Sequence, residues 1–344
     1  MRTQLLWPLL LALGGCQASF FGVVNTGGGT TAVASTPGLV FDPDHGLALD
    51  VHAPKDARDA PVLVFFYGGR YDTGERGWYA FVGEAFARRG IVTIVPDYRH
   101  GPDLRYPQFV EDGALAVAWA RDNARQYGGD PARLFVGGHS AGAHIAALLG
   151  TDKRFLAAHG MSLADLSGVI GISGPYDIRP EGEDDLIAIF GGPDEWPNVR
   201  ATTFADGDEP PFLLLHGTSD RIVWNLHSQL MAERLEAAGD TFEYKPYEGI
   251  GHIRILSAIR YPNLAPTADD VVAFIQARSS TAAPQERPEG AIPPSRHRAL
   301  PGAPAGSAAD FRPRPIAAAS TRRAPARASR SVPHSGSPTR CVKR

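Results

Sequence analysis

The hydrophobic pattern along the chain switches repeatedly between two periods. Pro61-Val-Leu-Val-Phe-Phe-Tyr67 and Ile91-Val-Thr-Ile-Val95 are short, continuous apolar runs, as expected of strands buried on both faces of a parallel sheet. Further strands are read at Arg133–Val136, Val169–Ile172 and Phe212–Leu215, and Phe242–Tyr247 makes the last. Between them the spacing becomes helical. Trp78 to Arg89 ends at Gly90, Phe109 to Tyr127 ends at Gly128-Gly129, and Val223 to Ala238 closes on Gly239. A glycine just past a helical stretch suits the left-handed residue that ends a helix. Ala141 to Leu149 and Ala268 to Ala277 complete the helices, and Leu47-Ala-Leu-Asp-Val51 reads as an antiparallel edge strand. This alternation predicts an α/β fold, a mostly parallel central sheet with helices on both faces and right-handed crossovers. From Pro175 to about Phe204 the pattern lapses, and the segment is either a small cap or a surface excursion.

The two ends stand apart from this pattern. Arg2 followed by Leu5-Leu6-Trp7-Pro8-Leu9-Leu10-Leu11-Ala12-Leu13 has the form of an export signal, and the apolar run is too short to span a bilayer. Leu13-Gly14-Gly15-Cys16 resembles the lipobox of bacterial lipoproteins. The resemblance implies that residues 1–15 are a signal peptide and that Cys16 is the first mature residue. It further implies that acylated Cys16 anchors an exported protein in a bacterial envelope; Gln17 resembles outer-membrane sorting. Residues 16–38 lack a hydrophobic period and are expected to be a flexible tether, with the folded domain spanning 39–278. Residues 279–344 are rich in Pro, Ala, Ser and Arg and hold twelve Lys/Arg against three acids. With few apolar groups to bury, this tail is expected to be disordered. The overall charge of −3 therefore hides a basic tail on an acidic remainder. In an exported protein that tail suits an anionic envelope better than nucleic acid. The two cysteines, Cys16 and Cys341, offer no disulfide framework and no Cys/His zinc spacing.

Candidate chemistry centres on Gly138-His139-Ser140-Ala141-Gly142, which fits G-x-S-x-G at a strand-to-helix joint. A serine presented from so sharp a turn needs very small flanking residues, and the helix that follows directs N–H groups toward developing negative charge. A serine nucleophile also needs a base and a group to orient that base. Asp220 is the carboxylate in the turn after Phe212–Leu215, and His252 lies in a glycine-flanked loop after the final strand. The order Ser140, Asp220, His252 is that of a triad spread over three strand ends. Asp177 is the competing acid and His216 the competing base, although His216 precedes the acid loop and suits fastening it. Backbone donors for an oxyanion are expected at Ala141 and in Tyr67-Gly68-Gly69, through Gly68 and Gly69. Arg70, Tyr71, His100, Tyr176 and Trp224 are candidates for lining the substrate pocket.

Taken together, Tyr67-Gly68-Gly69, Pro96-Asp97-Tyr98-Arg99, Gly138–Gly142, His216-Gly217-x-x-Asp220 and Gly251-His252 resemble the carboxylesterase/lipase group of α/β-hydrolases over about Leu39 to Ala277. They are similar in particular to bacterial esterases near the hormone-sensitive-lipase-like and kynurenine-formamidase-like branches. The resemblance implies an α/β-hydrolase fold and hydrolysis of small or medium carboxylic esters through an acyl-enzyme, without metal or cofactor. It assigns Ser140 as nucleophile, Asp220 as acid and His252 as base. An arylformamidase-type amide hydrolase and a non-catalytic binding module on the same fold are the alternatives. One departure is plain: the family's oxyanion loop usually begins with His, where this chain has Tyr67. How that loop is braced is left open.

Overall fold

The computed structural model describes residues 21–25 and 31–281. The expected signal peptide, Cys16 and the tail from residue 282 onward lie outside the described residues. Eight strands form one sheet in the order β1-β2-β4-β3-β5-β6-β7-β8. Its centre is β4 (Val92–Pro96), β3 (Ala60–Phe66), β5 (Gly129–His139), β6 (Gly168–Ile172) and β7 (Phe212–Gly217), and β8 (Phe242–Tyr247) closes one side. From β4 to β8 every neighbouring pair is parallel. Only β2 (Leu47–Pro54) runs against the rest, antiparallel to both β1 (Val33–Asp42) and β4.

The continuous apolar runs occupy the middle of this sheet for the reason that predicted them. Val62, Leu63, Val64, Val92, Ile94, Leu134, Val136, Val169, Ile170, Leu213 and Leu214 are all fully buried. A side chain of this size contributes about 1.5–3 kcal/mol when taken out of water. Helices Ala80–Ala87, Gln108–Asn123, Ala141–Leu149, Leu226–Ala238 and Thr267–Thr281 pack around the sheet. Helix Ala141–Leu149 is buried at every residue, so the segment that follows Ser140 is locked into the core.

The beginning of the domain departs from the expected boundary. β1 starts at Val33, and a helical turn covers residues 21–25, inside the stretch expected to be a tether. Consequently β2 is not the edge; β1 lies outside it. An edge strand pairs through its backbone and needs little apolar content, which is why the exposed side chains of Ser35 to Gly38 carried no strand signal. The register slips between Thr36 and Leu39, across Pro37-Gly38, as expected where proline cannot donate to the ladder. Residues 21–25 are held by packing: Phe21 stacks on Trp78 at 5.3 Å and Val24 is buried. At the other end the last helix runs through Thr281, three residues past the expected limit.

The irregular stretch from Pro175 carries three short helices, Asp184–Phe190, Trp196–Val199 and Ala201–Phe204. It is packed inward rather than looped out. Leu186, Phe190, Trp196 and Val199 are buried, and Phe190 meets Tyr71 edge-on at 5.0 Å.

Candidate active site

The elbow is built by steric exclusion. β5 ends at His139, and Ser140 adopts φ 57°, ψ −123°, a backbone conformation that costs on the order of 1–3 kcal/mol for a non-glycine residue. The Ser140 N–H donates to the Ile172 carbonyl at 2.9 Å, pinning the turn to β6. A Cβ at position 142 would lie 2.1 Å from the Phe66 carbonyl oxygen, and one at 138 would lie 2.3 Å from the Gly142 carbonyl carbon. No side chain fits either place, so the two glycines of the pentapeptide are what let helix and strand close to this distance.

Asp220 and His252 come from loops at the ends of the neighbouring strands β7 and β8 and meet at 2.7 Å, His252 Nδ1 to Asp220 Oδ2. The pair is buried. Asp220 Oδ1 accepts the N–H groups of Ile222 and Val223 at 2.9 and 3.0 Å, so its own loop wraps around it. Burial opposes ionisation of this carboxyl. The hydrogen bonds from His216 and His252 outweigh burial and hold it well below the usual carboxylate range. With Nδ1 directed at Asp220, the other nitrogen of His252 is left to accept a proton. His252 opens helix His252–Ser257, and its carbonyl receives Nε2–H of His139 at 3.1 Å. The His139 and His252 rings stand 4.6 Å apart.

The competing residues have other duties. His216 is fully buried; its Nε2–H is shared between the Val223 carbonyl at 2.9 Å and Asp220 Oδ2 at 3.4 Å, and its Nδ1 meets Ser228 Oγ at 2.7 Å, fastening the acid loop. Asp177 is occupied by Arg179, Thr202 and Arg200. Asp97 pairs with Arg76.

The glycine loop after β3 lies against the serine, since a Cβ on Gly68 would sit 3.0 Å from Ser140 Cβ. Its donors differ from the expectation at one position. Gly68 N–H is already used, donating to the Tyr79 hydroxyl at 3.1 Å, so Gly68 does not offer it to an oxyanion. Gly69 N–H finds no acceptor among the described residues. Ala141, as the first residue of its helix, has an N–H without an intrahelical partner. The missing histidine is replaced by an aromatic brace. Tyr67 stacks on Tyr98 at 4.5 Å, and the Tyr98 hydroxyl donates to the Tyr67 carbonyl at 2.8 Å. Arg70 and Tyr71 both hold positive φ, 56° and 66°. That strained pair is secured from both sides. The Tyr71 hydroxyl bonds His144 Nδ1 at 2.7 Å, and Arg70 bridges Asp185 and Glu183 at 2.9 and 2.6 Å.

Two expected pocket residues are corrected. Tyr176 has no exposed surface and Tyr71 almost none, so neither lines an open pocket. Tyr176 lays its hydroxyl over Gly171, where a Cβ would come within 1.9 Å of it. Tyr71 belongs to the brace. His100 is exposed, with its Nδ1–H directed to the Asp72 carbonyl at 3.2 Å, and Trp224 is exposed beside the acid loop. Nothing in the sequence links Tyr79 to a glycine eleven residues earlier. No cluster of His, Cys, Asp or Glu among the described residues could hold a metal ion. The Asp220–His252 pair packs against His139, the residue that precedes the strained Ser140; a carboxylate–imidazole pair can take a proton from a serine hydroxyl, and a helix start can stabilise the negative charge that develops.

Comparison with known proteins gives the same frame. The BD-FAE family pattern matches residues 49–235. Esterase LipC of Mycobacterium tuberculosis is 30% identical over 260 residues, covering 69% of this chain and 64% of its own length. A probable isoprenylcysteine alpha-carbonyl methylesterase of Oryza sativa is 31% identical over 229 residues, 59% of this chain and 53% of its own. The chain thus spans roughly half to two thirds of the curated relatives it matches. Among solved structures, a thermophilic esterase of Thermogutta terrifontis aligns with a TM-score of 0.60 at 26% identity, over 71% of this chain and 93% of that one. Esterase B of Lactobacillus rhamnosis aligns with a TM-score of 0.69 at 19% identity, over 80% and 97%, a likeness of fold.

Proposed function

From the premise that the chain belongs to the BD-FAE family of α/β-hydrolases, we propose that it is a serine carboxylesterase acting on small or medium carboxylic esters. The observation that carries the reading is the 2.7 Å bond between Asp220 and His252, whose imidazole packs against His139 at the strained elbow of Ser140. The related proteins named above as esterases support the same reaction class.

In this reading Asp220 fixes the tautomer of His252, whose Nε2 takes the proton of Ser140 Oγ as that oxygen attacks the ester carbonyl. The N–H groups of Gly69 and Ala141 receive the oxyanion. Collapse of the tetrahedral adduct expels the alcohol, protonated by His252, and leaves an acyl-serine. Water gives a proton to His252, attacks the acyl carbon and releases the acid, restoring Ser140. The proton taken from Ser140 thus leaves with the alcohol, and the proton taken from water passes from His252 to Ser140 Oγ as the acid departs.

The test is turnover of p-nitrophenyl butyrate together with labelling by a fluorophosphonate probe. Ser140→Ala is expected to lose labelling and at least about 10³-fold in kcat, and Asp220→Asn about 10⁴-fold with folding retained. A Ser140→Ala protein that hydrolyses the ester at the parental rate would overturn the proposal. Faster turnover of N-formylkynurenine than of any simple ester would move the assignment to an amide hydrolase. The proposal extends to location: an acylated Cys16 anchors the enzyme at a bacterial envelope, and mass spectrometry of the N-terminal peptide from expressing cells would detect the acyl chains.

A further inference from the structure

Large apolar side chains exposed to water are few in this protein, and they are not scattered. Seven are exposed among the described residues, and four of them fall on the loop that carries Asp220 and on the first turns of the helices Leu226–Ala238 and His252–Ser257. Ile222 is 66% exposed, Trp224 68%, Leu226 50% and Ile253 41%. The loops after β7 and β8 are joined. Asp220 bonds His252 at 2.7 Å, Ser219 N–H donates to the Ile250 carbonyl at 3.0 Å, and Gly249 N–H donates to Thr218 Oγ1 at 3.0 Å. Apolar groups concentrated on one rim are a mark of an interaction surface, whereas isolated ones are ordinary.

Charge identifies what the rim meets. Arg221 and Arg254 sit next to Ile222 and Ile253, are exposed, and form no ion pair among the described residues. Most other arginines of the domain are tied to acids, as Arg70, Arg76, Arg99 and Arg154 are. Asp220 is buried and its charge is engaged within the loop, so Glu248 is the exposed acid on these two loops. A pair of free arginines set among Trp, Ile and Leu, on a domain otherwise rich in acids, suits a surface that is negatively charged outside and apolar beneath.

We propose that this rim is a membrane-facing surface that docks the Ser140 site onto an anionic lipid layer. Ile222, Trp224, Leu226 and Ile253 enter the interface while Arg221 and Arg254 reach the headgroup phosphates. Tryptophan favours that depth because its ring is apolar and its N–H stays hydrated. Arginine can bury its stem and leave its guanidinium in the phosphate layer. Docking would hold the mouth of the site at the level where lipophilic esters reside. Binding is read without turnover, so the proposal stands or falls apart from the catalytic assignment.

The experiment uses residues 17–344, the expected mature chain without its acylated cysteine and without the apolar leader that holds Trp7, with vesicles of phosphatidylcholine alone or mixed with phosphatidylglycerol. Binding is measured by sedimentation, and insertion by quenching of tryptophan emission with brominated phosphatidylcholine. The protein is expected to bind the anionic vesicles and to show quenching that disappears in Trp224→Phe. Trp224→Ser combined with Leu226→Ser is expected to weaken partitioning about tenfold or more. Arg221→Ser combined with Arg254→Ser should weaken it roughly fivefold per arginine on anionic vesicles only. Equal binding by parent and both double variants, without quenching of Trp224, would mean that the basic tail alone meets the lipid and would overturn the proposal. So would unchanged vesicle binding accompanied by a raised KM for a water-soluble ester, which would place these residues around single substrate molecules instead.

Discussion

His139 occupies the variable position of the pentapeptide, yet its side chain reaches the backbone of the proposed catalytic base. Its Nε2–H holds the backbone carbonyl of His252, and its ring lies against that of His252. Burial, followed by the neighbouring His252, pushes its own pKa well below the ordinary imidazole value, so it acts as a neutral donor. Its Nδ1 has no hydrogen-bond partner among the described residues. These contacts make His139 a positioning residue for the start of helix His252–Ser257. Replacing it with leucine removes a bond whose net contribution is about 0.5–1.5 kcal/mol, so kcat is expected to fall by about three- to tenfold with KM little changed. His139→Gln, which can keep a donor in reach, should recover part of that loss and leave the pH profile of kcat with the parental shape. If the glutamine variant instead lost the acid limb of the profile, His139 would be the titrating base and the assignment of His252 would be wrong.

At the scale of elements, what could be read in the sequence and what could not follows from the range of the interactions concerned. Strands β3 to β7 announced themselves because burial on both faces demands unbroken apolar runs. Ser140 and Asp220 were legible because each follows such a run, and His252 because it follows the last strand in a loop flanked by glycines. The brace of the oxyanion loop was not legible: Tyr79 to Gly68, Tyr71 to His144 and His144 to the Val199 carbonyl are tertiary bonds between residues with no common motif. The same reason hid the first element. Residues 21–25 have too few apolar positions to show a period, and only the face offered by Trp78, Tyr79 and Phe81 gives Phe21 somewhere to go. A tether residue could be changed at little cost, within about 0.5 kcal/mol. Phe21→Ala is expected instead to lower unfolding free energy in urea by about 2–4 kcal/mol, because it removes a buried ring from an aromatic stack. An unchanged denaturation midpoint would return this segment to the tether.

Across the whole molecule, several histidines are buried as neutral groups, and acid stability depends on them. Burial lowers His144 and His227 to about 4 and lowers His52 and His139 as well. In the unfolded chain each titrates near the ordinary value of about 6.5. Between pH 6.5 and 4 the unfolded state therefore binds more protons than the native state, and stability must decrease as pH falls through that window. Each group can add up to about 1.4 kcal/mol per pH unit to the slope. Asp220 acts in a lower range. Its depressed pKa contributes stability that is present above the unfolded carboxylate value of about 3.9 and is lost only on further acidification. Urea midpoints measured from pH 7 to pH 5 should accordingly decline steeply while the carboxylates remain ionised. His144 offers the sharpest check, because its Nδ1 accepts from the Tyr71 hydroxyl and its Nε2–H donates to the Val199 carbonyl, bracing the glycine loop against the segment that follows β6. A proton on Nδ1 would replace that acceptor with a donor and bury a charge between them. His144→Gln should reduce the slope by one proton's share, about 1.4 kcal/mol per pH unit, while being less stable than the parent at pH 7. A parent protein with equal midpoints at pH 7 and pH 5 would show that these imidazoles are not held neutral by the fold.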